Sequence, residues 1–366
     1  MANRRSGAIP NTTKLFRSLC LSISMLLATP FACQAQTIPQ TTGIFAINPI
    51  YPSGAIYSSI LTDQYVKGIF ATFGWNSIEA TEGVYNWTLI DGVLSQAASN
   101  GKLVTLGVTA GWETPSWVYA DGAQSFNFLW ASASFGPALC SVQSIPIPWD
   151  PVFLAKWQTF VEALGVRYSS NATLVSVMLY GLNYQAVETS LPITNGASIG
   201  SGATSCTGYN YPLLWQKAGY TRTKVENALF SMQSDFQSAF PGTQLMAALN
   251  PDGFPPIDQN GSLILNWTAD SQVPIDLLAT GSSILGAQFS AGNGGLNAVG
   301  WTYPLLMQYA GTIDTGYQTV GALGSALPTA INSALGAGAR WLQLYPPDIT
   351  SSANQSAIIS ASQELH

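Results

Sequence analysis

The chain alternates, from end to end, between short segments of strand character and longer amphipathic ones. Strand-like segments are expected at Gly43–Pro49, Gly68–Phe73, Leu103–Val108, Leu174–Leu179, Gln244–Leu249, Ile284–Phe289, Thr315–Thr319 and Trp341–Tyr345. Helical patterns fall at Leu89–Asn100, Pro151–Tyr168, Tyr220–Phe240, Leu323–Leu335 and Ser352–Leu365. Leu103–Val108 is apolar almost throughout, as a strand buried on both faces must be. In Pro151–Tyr168 the apolar residues Phe153, Leu154, Trp157, Phe160, Val161 and Leu164 recur at helical spacing. Eight such alternations predict a parallel sheet covered by helices. The count and the length favour closure into a (β/α)8 TIM barrel over an open doubly wound sheet. No G-x-G-x-x-G follows any of the strands, so a dinucleotide fold would lack its phosphate loop.

The first residues stand apart from this pattern. Arg4, Arg5, Lys14 and Arg17 precede an apolar run over 19–32, and small residues lead to a cleavage site after Ala35. This layout is that of a secretory signal peptide. The expected organisation is therefore a signal at 1–35 and one barrel domain at 36–366, secreted or periplasmic. A lipoprotein alternative would use Cys33, but Pro30-Phe31-Ala32 fits a lipobox poorly, and the run is short for a retained anchor.

Of 12 Lys and Arg, four lie in the signal, leaving eight against 18 Asp and Glu. That balance disfavours nucleic acid or an anionic membrane as a partner, since both are held mainly through Lys and Arg. The single histidine, His366, ends the chain. Ser-His-Asp and Cys-His catalysis have no base inside the domain, and histidine-held metal sites are excluded likewise. No cofactor or metal is expected, and acid–base chemistry falls to carboxylates. Cys140 and Cys206 remain as an even pair in an oxidising compartment and are expected to form a disulfide; two separate buried thiols are the alternative.

Function in such a barrel sits after the C-terminal ends of the strands. Two of those connections are long, roughly 110–150 and 183–212, and each carries one of the two cysteines. The stretch Trp75-Asn76-Ser77-Ile78-Glu79, Glu82-Gly83-Val84-Tyr85-Asn86-Trp87 and Ile90-Asp91, followed by Gly111-Trp112-Glu113-Thr114-Pro115-Ser116-Trp117 and Ile147-Pro148-Trp149-Asp150, resembles retaining clan A glycoside hydrolases, most of all family 42 β-galactosidases. The resemblance is specific over 68–190 and implies hydrolysis of a neutral, β-linked sugar or oligosaccharide. It places the proton donor after strand four, where Glu188 follows Asn183 by five residues instead of one. It places a nucleophilic glutamate at the end of strand seven, where this chain has Gln318. Asp314 would serve only if that strand ended near Ile313. Glu113, after strand three, is the next candidate, as a base that activates water. Asp252 and Asp348 are ranked below it, and Glu79 and Glu82 are read as loop-shaping. Trp75, Trp112, Trp117 and Tyr345 offer faces for pyranose rings, and Asn76, Asn183, Gln288 and Gln318 offer amides for hydroxyl groups. The competing readings are a barrel that binds carbohydrate without cleaving it, favoured by Gln288 and Gln318, and an envelope protein with an exposed apolar patch. The oligomeric state is not legible in the sequence.

Overall fold

The computed structural model describes residues 38–48, 55–132, 136–184, 187–194, 198–199, 206–207, 209–250, 253–264, 270–294 and 302–365. The signal-like segment and Asp252 lie outside the described residues, and the barrel unit is Ile38–His366. Its strands are β1 (Gly43–Asn48), β2 (Val66–Gly74), β3 (Leu103–Thr109), β4 (Ser125–Leu129), β5 (Val142–Pro146), β6 (Leu174–Met178), β7 (Ser198–Ile199), β8 (Cys206–Thr207), β9 (Gln244–Leu249), β10 (Phe289–Gly294), β11 (Asp314–Gln318) and β12 (Trp341–Leu344). Eight of them close a parallel barrel in the order β1, β2, β3, β6, β9, β10, β11, β12 and back to β1. The structure is thus the (β/α)8 barrel that the alternation predicts. The remaining four form two antiparallel pairs, β4–β5 and β7–β8, inside the two long connections.

The helices form where local chemistry starts them and one apolar stripe holds them. Asp150 caps Pro151–Tyr168, its carboxylate accepting from the N–H groups of Val152 (2.9 Å) and Phe153 (3.0 Å), with proline in the first turn. Phe153, Trp157, Phe160, Val161 and Leu164 are buried against the barrel; Leu154 is only partly so. Thr221 caps Arg222–Ala239 through the Lys224 N–H at 3.2 Å.

Inside the barrel lies a second, smaller apolar cluster: Phe45, Ile47, Phe70, Val175, Met178, Met246 and Trp341. Only the lumen brings side chains of β1, β2, β6, β9 and β12 together. Trp341 is the largest of these and donates through Nε1 to Ser290 Oγ at 2.9 Å. Its indole fits because its neighbours across β11 and β10 have no side chain. A methyl on Gly316 would lie 2.1 Å from the indole, and one on Gly292 also 2.1 Å. Gln343 and Tyr345 succeed Trp341 at strand period, so the lumen becomes polar toward its C-terminal end.

The sixth barrel strand corrects the sequence reading. Ile284 and Leu285 close the helix Gln272–Leu285, and the strand begins at Phe289. Strand interiors normally advertise themselves by apolar residues, but here the lumen side of β10 must leave room for Trp341. The resulting Ser-Ala-Gly-Asn-Gly run reads as a loop.

Gly316→Ala is expected to destabilise the fold by about 3 kcal/mol, the overpacking cost of one methyl forced onto a rigid ring. Urea unfolding followed by tryptophan fluorescence checks this.

Candidate functional site at the C-terminal mouth of the barrel

All eight barrel strands run the same way, so their C-terminal ends share one rim. The site is built from that rim. At the end of β2, Gly74 makes room for what stands beside it. A methyl there would lie 2.5 Å from Glu113 Oε1 and 2.9 Å from Asn76 Oδ1, so these two side chains flank one backbone point. Glu113 closes the short 3-10 turn Gly111–Glu113 directly after β3. Its Oε2 meets the hydroxyl of Thr109, the last residue of β3, and that hydroxyl also lies 3.2 Å from the Phe73 carbonyl. Burial lifts the Glu113 carboxyl to about 7, against the opposing effect of the Thr109 contact.

The fourth barrel strand brings the second group. After β6, Tyr180 and Gly181 both take left-handed backbone (φ 79° and 64°), which turns the chain sharply. Asn183 then comes so close to Gly111 that a methyl on that glycine would be 1.6 Å from the Asn183 carbonyl oxygen and 3.0 Å from its Oδ1. Asn183 is buried, and neither its Oδ1 nor that of Asn76 meets a hydrogen-bond partner among the described residues. Farther along, Thr189 bonds the Ala248 carbonyl at the end of β9 (3.1 Å), and Val187 packs on the lumen cluster beside Tyr345. Glu188 lies between these two anchored residues. Burial raises its pKa, opposed by its own backbone N–H. Burial also raises Tyr345, and the nearby charge of Glu188 adds to this, while a backbone hydrogen bond at Gly321 opposes both.

Gln318 ends β11. Gly316 faces the lumen indole, and side chains alternate along a strand, so Gln318 faces inward at the mouth. Gln343 pairs with it on β12 and is buried, its Nε2 3.6 Å from Met246 Sδ. Trp112 stands beside Glu113 and meets Trp130 edge-on, the ring centres 5.0 Å apart. Trp130 is fully buried, and its carbonyl accepts from Cys140 N (2.9 Å). Cys140 and Cys206 are disulfide-bonded, joining the connection after β3 to the connection after β6.

Several expected site residues lie elsewhere. Asp314 opens β11 instead of closing it, so it stands at the N-terminal end of the barrel. There it accepts from Gln244 Nε2 (2.7 Å) and faces Arg340 Nε (3.5 Å). The condition for a nucleophilic Asp314 is therefore not met. Gln288 precedes β10 and donates to the carbonyls of Phe240 (2.8 Å) and Thr243 (3.1 Å), also at the N-terminal end. It was misplaced with its strand. Trp75 is fully buried, its Nε1 on Glu79 Oε2 (2.8 Å) and its ring against Trp117 and Trp157, so it offers no face to a ligand. Trp117 packs on Trp75, donates to the Glu79 carbonyl (3.0 Å) and lies under Lys156, a structural setting in the helical layer. Glu79 is bound at both oxygens, by Trp75 and by Gly83 N (2.7 Å), and shapes the loop as expected. Asp348 accepts from Leu323 N (2.7 Å) and Gly324 N (2.8 Å) and is likewise a loop residue. Thr109, Val187, Gln343 and the space-making Gly74 were missed. The inward alternation Thr105, Gly107, Thr109 was the available signal for the first. Among the described residues no three His, Cys, Asp or Glu side chains gather as metal ligands, and no helix is long and apolar enough to cross a membrane.

The fold is a (β/α)8 barrel with a polar, carboxyl-bearing mouth, and part of the chain is similar to a glycoside hydrolase family. Residues 64–180, about a third of the chain, match the glycosyl hydrolase family 42 model, described as β-galactosidase. Among solved structures, the catalytic domain of β-amylase from Paenibacillus polymyxa superposes with a TM-score of 0.59 at 10% identity, over 90% of this chain and 99% of that one. A β-galactosidase from the psychrophilic Marinomonas ef1 gives 0.52 at 13% identity, over 88% of this chain and 59% of that enzyme. At such identities the superpositions speak for the fold alone. A search of the curated proteins finds no significant sequence match.

Glutamates normally titrate near 4.5, and Glu113 at about 7. Between these values the folded chain keeps a proton that the unfolded chain has lost, so stability falls as pH rises through the window. Wild type is expected to lose about 3 kcal/mol more than Glu113→Gln between pH 4 and pH 8. Denaturant titrations of both proteins at the two pH values measure the difference.

Proposed function

We propose that the chain is an exported glycosidase that hydrolyses a neutral, β-linked sugar or oligosaccharide at the barrel mouth. The observation that carries this reading is the pair Glu113 and Glu188. These are two desolvated carboxyls on consecutive mouth loops, each with a raised pKa, in a rim of amides and aromatic rings. Glycoside hydrolysis needs two carboxyl groups, one to protonate the leaving oxygen and one to act at the anomeric carbon. Asn76, Asn183 and Gln318 suit hydroxyl recognition, and Trp112 and Tyr345 suit the apolar face of a pyranose. The family 42 match over 64–180 supports a carbohydrate as substrate. Export is supported by the signal-like first 35 residues and by the disulfide, which persists in an oxidising compartment.

A second reading is a lectin-like barrel. Gln318 favours it, because an amide at the strand-seven mouth position forms no glycosyl ester. A panel of aryl glycosides separates the two readings. Under the enzymatic reading wild type turns over at least one member, and Glu188→Gln loses at least a hundredfold in kcat/KM. Saturable sugar binding with no turnover in either protein would establish the lectin-like alternative.

A further inference from the structure

Side chains alternate along a strand, and this places the last residues of β2 and β3. Phe70 on β2 belongs to the lumen cluster, so Thr72 and Gly74 point inward after it. On β3, a methyl on Gly107 would lie 2.9 Å from Met178 Sδ, in that same cluster, and 3.0 Å from Thr72 Cγ2. Gly107 therefore faces the lumen. So does Thr109 two residues on, in register with Gly74. Whatever a methyl on Gly74 would touch thus stands over the lumen at its C-terminal mouth. It would touch Glu113 Oε1 at 2.5 Å and Asn76 Oδ1 at 2.9 Å. Glu113, four residues past the end of its strand, folds back over the opening.

A single hydroxyl meets it there. Thr109 is buried, and its Oγ1 lies between the Phe73 carbonyl, at 3.2 Å, and Glu113 Oε2. The 3-10 turn Gly111–Glu113 sets the spacing, with Glu113 N donating to the Ala110 carbonyl at 2.6 Å. Thr109 is the one hydrogen-bond partner of the Glu113 side chain among the described residues. The turn packs on β5 and on the short helix Trp75–Ile78, and neither carries a charged residue. Glu113 Oε1 is left without a partner, beside an Asn76 Oδ1 that has none either.

Resting on the hydrolytic reading, we infer that Thr109 is a positioning residue for that reaction: its hydroxyl pins Glu113 Oε2 to the wall of β3 and so presents Oε1, flanked by Asn76, to the sugar. A glutamate side chain left free would have to be ordered at every turnover. Misplacing a reacting group by about 1 Å costs about 10²-fold in rate. Threonine suits the task because branching at Cβ makes it stiff at χ1. The Phe73 carbonyl on the neighbouring strand fixes its hydroxyl from the other side. Thr109 acts through Glu113, and the hydroxyl is the part of it that matters.

Two substitutions separate the hydroxyl from the rest of the side chain. Thr109→Val keeps the shape and loses the hydroxyl, and Thr109→Ser keeps the hydroxyl. On an aryl glycoside that wild type turns over, Thr109→Val is expected to lose about 10- to 100-fold in kcat with KM within about threefold. Thr109→Ser should stay within about threefold of wild type in both. A second readout needs no turnover. A hydroxyl that can donate to the carboxylate favours its charged form, and Thr109 lowers the Glu113 pKa against the larger effect of burial. The infrared carboxyl band of Glu113, identified by difference against Glu113→Gln, is therefore expected to titrate about one pH unit higher in Thr109→Val and at the wild-type pH in Thr109→Ser. An unmoved titration or unchanged kcat in Thr109→Val overturns the assignment, and so does a Thr109→Ser protein as impaired as Thr109→Val. Absence of turnover by wild type on every glycoside overturns the hydrolytic reading instead, and the infrared titration still decides whether Thr109 holds Glu113.

Discussion

The indole of Trp341 holds the centre of this barrel, and both of its ends depend on that fit. Two glycines on adjacent strands, Gly292 and Gly316, give up their side chains to one tryptophan. The ring in turn ties to Ser290, whose hydroxyl reaches the Asp314 carbonyl at 3.0 Å. On the N-terminal side, Asp314, Gln244 and Arg340 finish the barrel with an ion pair and hydrogen bonds. On the C-terminal side, the lumen turns polar within one strand period, at Gln343 and Gln318. A close-packed interior of this kind transmits misfit instead of absorbing it. The polar floor of the mouth therefore inherits its position from the plug beneath it.

The fold was legible because burial leaves a pattern. Parallel strands covered on both faces, such as Leu103–Thr109, appear as apolar runs, and Asp150 followed by proline announces the helix it caps. The exception, β10, follows the same physics: its lumen side is emptied for a neighbour's ring, so the signal disappeared and Gln288 was assigned to the wrong end. The site was less legible. Rim position could be read for Glu113, Asn183, Gln318 and Tyr345, since each follows or ends a strand. Trp75 and Trp117 follow strands too, yet they turn away into the helical layer. Sequence position alone does not say which way a tryptophan faces. Nor does it reveal that Gly74 and Gly111 are empty so that Glu113 and Asn183 can close in.

Differences from the family 42 pattern that part of the chain resembles fall at strands four and seven: Gln318, an amide, ends the seventh barrel strand, and Glu188 lies five residues past Asn183. Glu113 is the carboxyl that follows the third barrel strand. The polar atoms left open on Asn76 and Asn183 lie in the same quarter of the rim, where a ligand's hydroxyl groups would meet them.

The cystine between residues 140 and 206 acquires a meaning from that geometry. It joins the connections that carry Glu113 and Glu188, so the covalent strap links the two loops that border the proposed site. Loops of this length would ordinarily have to be immobilised when a sugar arrives, at a cost in entropy. Here much of that ordering is done during oxidative folding, and an incoming ligand meets walls already braced against each other.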